Sequence, residues 1–78
     1  MAAISFTRTA PSDPVAVQVG DVVENRSASA AWVCAQATFS VNDSVTLPPG
    51  GMYRVETAGN IRARGVTGNG KIIIARGL

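Results

Sequence analysis

From Ile61 to Arg76 the chain reads IRARGVTGNGKIIIAR, two apolar-rich runs parted by a glycine-rich break. In the first run Ile61, Ala63 and Gly65 alternate with Arg62, Arg64 and Val66. That period of two belongs to a strand with one face buried and the other wet. The second run, Lys71 to Arg76, carries three consecutive isoleucines, β-branched residues that favour a strand buried on both faces. Thr67-Gly68-Asn69-Gly70 between them reads as a hairpin, since Asn-Gly suits a type I′ turn.

The same grammar extends toward the N-terminus. Pro48-Pro49-Gly50-Gly51 is a reversal: proline fixes φ and glycine permits left-handed backbone. Met52–Glu56 follows as a strand with Tyr53 and Val55 on one face and Met52, Arg54 and Glu56 on the other. Ser44–Leu47 precedes it, with Val45 and Leu47 inward, after a turn at Asn42-Asp43. Ala30–Phe39 is the most apolar stretch and is read as a strand. Trp32, Cys34 and Gln36 share one of its faces, and Val33, Ala35 and Ala37 the other. Its alanines suit a helix, but Trp, Val, Cys, Thr and Phe favour extended backbone. Val15, Val17 and Val19 alternate with Ala16 and Gln18, Gly20-Asp21 turns, and Val22–Asn25 begins another strand.

Residues 1–14 hold a short extended candidate, Ile4–Arg8, and a Pro11–Pro14 breaker. They form an N-terminal arm or an edge strand, and residues 15–78 the sandwich proper. The expectation is therefore all-β: a small antiparallel β-sandwich or barrel of seven to eight short strands. Its core should contain Trp32, Leu47, Tyr53, Val55, Ile72 and Ile74.

A chain of 78 residues is one domain with a thin stability margin. One cysteine, Cys34, and no histidine rule out an intrachain disulfide and the usual zinc-finger spacings. Oligomerisation is the reinforcement left to it. Without histidine the common general base is missing, and Ser-His-Asp and Cys-His arrangements are excluded. Asp43 and Glu56 are read as solvated carboxylates beside turns, and Cys34 as a buried, inert thiol. No catalytic, cofactor-binding or metal-ligating residue is assigned, and no enzyme activity is expected. The Gly65–Gly70 glycines join two strands, whereas phosphate loops lead into a helix.

Apolar runs such as Ala30–Ala35 and Ile72–Ala75 are far short of the ~18 residues of a membrane span. The N-terminus lacks a basic region followed by an apolar one, so a signal peptide is not expected.

Only 15% of residues are charged, which leaves much neutral surface for contact with neighbours. Charge is uneven. Residues 1–39 carry Arg8 and Arg26 against Asp13, Asp21 and Glu24, a net −1; residues 40–78 carry Arg54, Arg62, Arg64, Lys71 and Arg76 against Asp43 and Glu56, a net +3. The basic half suggests an alternative function, a nucleic-acid-binding β module using Arg54, Arg62, Arg64 and Arg76. No aromatic is placed between Arg62 and Arg64 to stack bases, so nucleic acid is not the expected partner. A carbohydrate-binding module using Trp32 or Tyr53 is a second alternative.

From Asn25 onward the order is a polar loop NRSASA, a Trp strand AWVCA, then SVTLPPGGMYRVE, NIRARGV and a closing GNGKIIIARGL. It resembles small β-sandwich proteins of tailed-bacteriophage virions, the head decoration, fibre and tail-associated modules. The matching residues are Leu47, Pro48, Pro49, Gly50, Gly51 and Tyr53, then Gly68, Gly70, Ile72 and Ile74. The resemblance covers about two-thirds of the chain. It implies a non-enzymatic virion component, a capsid decoration (cement) or fibre-type protein that binds the particle surface. It also implies a homo-oligomer, with a trimer expected, made in the host cytoplasm and partnered by a major capsid or tail protein.

Overall fold

The computed structural model describes residues 2–36 and 38–76. The strands are β1 (Ala2–Phe6), β2 (Val15–Val17), β3 (Val22–Asn25), β4 (Ala31–Cys34), β5 (Ser44–Leu47), β6 (Met52–Arg54), β7 (Gly59–Gly65) and β8 (Gly70–Ala75), with one 3-10 turn at Val41–Asp43 before β5. They form two four-stranded antiparallel sheets, ordered β1-β8-β3-β6 and β2-β7-β4-β5. The fold is a small β-sandwich.

Between the sheets lie Ile4, Phe6, Val17, Val23, Ala31, Val33, Leu47, Val55, Ile61, Ala63, Ile72 and Ile74, all buried, with Tyr53 packed against them. Ile72 and Ile74 face inward while Ile73 is half-buried on the outer side. Leu47, Val55, Ile72 and Ile74 are core residues as expected. Trp32 is not. Ala31 and Val33 point inward on β4, which turns Trp32 to the outer surface.

Residues 1–14 do not project away from the sandwich within their described part. β1 is the edge strand beside β8, with Ile4 opposite Ile72. The chain after it then runs along β7: Gly65 N–H donates to the Thr7 carbonyl at 2.8 Å, and Ser12 N–H to the Ala63 carbonyl at 2.8 Å.

The Pro48–Gly51 reversal has the expected form. Gly51 N–H donates to the Pro48 carbonyl at 2.8 Å, and Gly50 holds φ at +79°. The Gln18–Asp21 turn uses Gly20, at φ +91°, in the same way.

The expected hairpin between β7 and β8 does not form. β7 belongs to one sheet and β8 to the other, so Thr67–Asn69 passes between sheets. Gly68 and Gly70 hold no positive φ, which excludes a type I′ turn. These glycines are needed for close approach instead. A Cβ on Gly65 would collide with the Gly68 carbonyl, and one on Gly70 with Ser27 and the Phe6 ring.

Asn25 closes the same end of the sandwich and is fully buried. Its Nδ2 donates to the Ser29 carbonyl (2.8 Å) and the Leu47 carbonyl (3.0 Å). Its Oδ1 accepts from Ser27 N–H (3.1 Å) and Ser27 Oγ (2.6 Å). Both Nδ2 protons and both lone pairs of Oδ1 are thus satisfied, which makes its burial tolerable. The bond to Leu47 ties β3 in one sheet to β5 in the other.

Candidate functional site: the outward face of β7 and β4

On β7, Ile61, Ala63 and Gly65 are buried, so Arg62 and Arg64 point outward from the sandwich as the alternation requires. The β4–β7 register sets Trp32 opposite Arg64 and Cys34 opposite Arg62. On its other flank Trp32 faces Thr46 of β5. Directly opposed residues share a face, with Cβ atoms about 4.5–5.5 Å apart. Trp32 therefore stands beside Arg64 and diagonal to Arg62, half-buried like both of them.

The expectation that no aromatic accompanies this arginine pair is corrected here. A lone tryptophan is usually a core anchor, and on that ground alone the sequence points Trp32 inward. Alternation along β4 groups residues into two faces but does not say which face is inside.

Arg64 is fixed in place by its Nε, which donates to the Arg8 carbonyl at 3.1 Å. Among the described residues, ion pairs join Arg26 to Glu24 (2.8 Å) and Arg76 to Asp21 (3.4 Å). No described carboxylate lies within ion-pair distance of Arg62 or Arg64.

The four arginines considered for nucleic acid are not brought together. Arg54 lies on the outer surface of the other sheet, opposite Val22. Arg76 follows β8 and approaches Asp21, whose carboxylate is buried. Asp21 Oδ2 accepts the Gln18 N–H at 2.8 Å; Oδ1 makes no hydrogen bond, and the largely exposed Arg76 is near it only as a charge. The two aromatics considered for carbohydrate are also apart. Trp32 faces outward, while Tyr53 packs against the core, where burial raises its phenol pKa above 10.0.

Two recesses lie at the Ala35–Asn60 end of the sandwich. One, of about 360 Å³, is lined by Pro14, Ala35, Gln36, Asn60 and Arg62. The other, of about 250 Å³, has an apolar floor of Val17, Tyr53, Val55 and Ile61 with Glu56 at its margin. Ala35 and Asn60 line both, so the two adjoin.

Cys34 is buried and free. Among the described residues there is no grouping of three or more His, Cys, Asp or Glu side chains that could hold a metal ion.

No family model, curated protein or solved structure matches the chain.

Proposed function

We propose that this protein is a non-enzymatic structural module that works by packing against other protein surfaces, including further copies of itself. One observation carries this reading. Val45 lies opposite Val33, which is only 2% exposed in the core, yet Val45 itself is 50% exposed. It points to the core side of β5, at the edge of its sheet, and remains uncovered. Val41, just before β5, is 43% exposed.

The strand Ser44–Leu47 also has no charge and no proline, the devices that normally protect a sheet edge from pairing. Such an edge accepts another strand and buries Val45 and Val41 in doing so. Each copy carries a formal +2, and pairing through an uncharged edge sets no cations against each other.

The assignment to a virion as capsid decoration or fibre-type protein, docked on a major capsid or tail protein, draws on the resemblance of the chain from Asn25 onward. A trimer is the oligomer expected on that reading.

Sedimentation and native mass measurement of the wild type and Val45→Lys test it. The wild type should form a defined oligomer and co-sediment with assembled shells or tails, and Val45→Lys should weaken the oligomer while keeping the fold. A wild type that is monomeric at every concentration and never co-sediments would overturn it.

A further inference from the structure

We infer that the outward face of β4 and β7, with the recesses at its end, docks an acidic, extended polypeptide segment of a partner protein bearing an apolar anchor side chain. This rests on the protein-packing reading above and names the partner's chemistry.

Charge comes first. Arg62 and Arg64 are half-buried, lie two residues apart on one face, and have no described carboxylate in ion-pair range. Along an extended strand that spacing is about 6.6 Å. Acidic residues at alternate positions of an extended partner repeat at the same interval. Anchoring of Arg64 Nε on the Arg8 carbonyl leaves the terminal nitrogens of its guanidinium for a carboxylate.

Trp32 beside them supplies a wide apolar contact next to the cations. Trp and Arg are, with Tyr, the side chains enriched among residues that dominate protein interfaces.

The recesses decide between partners. The recess beside Arg62 adjoins, through Ala35 and Asn60, a second one that enters between the sheets and is lined by Val17, Tyr53, Val55 and Ile61, a seat for an aliphatic side chain. A nucleic acid has no aliphatic side chain to insert there. One tryptophan also offers one stacking position, fewer than single-strand binders use. A polypeptide brings carboxylates and an aliphatic anchor together.

Fluorescence polarisation of the full chain tests this with three labelled probes: a peptide with glutamates at alternate positions followed by leucine, its lysine-for-glutamate counterpart, and a single-stranded oligo-dT. The glutamate peptide should bind, and more weakly as salt rises; the other two should not. The double variant Arg62→Glu/Arg64→Glu, and separately Ala35→Phe at the junction of the recesses, should each lower its affinity about tenfold or more. Arg62→Gln/Arg64→Gln gives a version without introduced repulsion, and melting curves confirm that each variant is folded. Failure of the wild type to bind the glutamate peptide, equal or tighter binding of oligo-dT, or unchanged affinity in the variants would overturn the inference. Sedimentation of the same variants separates the outcomes, because association through β5 does not use Arg62 or Arg64.

Discussion

Trp32 stands directly opposite Arg64 in the β4–β7 ladder, facing away from the core that its neighbours Ala31 and Val33 help to build. The largest side chain of the protein is thus spent on the surface rather than on packing between the sheets. Several expectations depend on that placement.

Ile72 and Trp32 should respond differently to truncation. Ile72 is fully buried between Ile4 on β1 and Asn25 on β3. Ile72→Ala should cost on the order of 2–5 kcal/mol, a large share of the stability of so small a domain. Trp32→Ala should cost only about 1 kcal/mol, because the side chain lies half-buried on an outer face. Urea unfolding of both variants measures the contrast, and equal losses would mean that Trp32 is a core residue.

Asn25→Leu should be strongly destabilising despite similar volume. It leaves the Leu47 carbonyl without the Nδ2 donor and the Ser27 N–H without its Oδ1 acceptor, while Ser27 Oγ and the Ser29 carbonyl keep only each other at 3.0 Å. Each buried group left unsatisfied costs about 1–3 kcal/mol, so a loss of roughly 2 kcal/mol or more is expected in denaturant melts. A neutral result would mean that the clamp between β3 and β5 contributes nothing.

Gly65→Ala tests the crossing between the sheets. The added methyl would meet the Gly68 carbonyl and the Phe6 ring, and backbone cannot move aside as a flexible side-chain tip can. A loss of about 1–3 kcal/mol is expected. In a free hairpin the same change would be mild.

Much of this architecture is legible in the chain, and what is not has a physical cause. The alternation Ile61-Arg62-Ala63-Arg64 places the arginines outward because one set is apolar and the other charged. Pro48–Gly51 reads correctly because the turn is specified by its own residues. On β4 both sets, Ala31 and Val33 against Trp32 and Cys34, are apolar. The choice of inner face falls to distant partners: Ala31 sits between Leu47 and Gly65. The break at Gly65–Gly70 misleads for the same reason. Gly70 is required by Phe6 and Ser27, far away in sequence, and Gly65 by the Gly68 carbonyl in a crossing that is not a hairpin turn. Arg62 and Arg64 are therefore recognisable early, whereas their association with Trp32 requires the register.

Tyr53 gives a pH dependence with a definite sign. Burial raises its phenol pKa above 10.0 in the folded protein. The unfolded chain therefore releases this proton first, and folding stability should fall as pH rises from about 10 toward the folded value. Below that window the contribution is fully present. Absorbance titration of the phenolate, with thermal melts at about pH 9 and pH 11, should show a drop that Tyr53→Phe reduces. The same drop in Tyr53→Phe would assign it to other groups.

Trp32 is the one tryptophan of the chain, so its fluorescence reports directly on the proposed docking face. The decisive measurement is quenching by iodide and by caesium, with and without the glutamate–leucine peptide. With Arg62 and Arg64 beside the ring, iodide should quench far better than caesium, and bound peptide should suppress that quenching. A tryptophan that neither ion reaches in the free protein, or whose quenching the bound peptide leaves unchanged, would contradict the account.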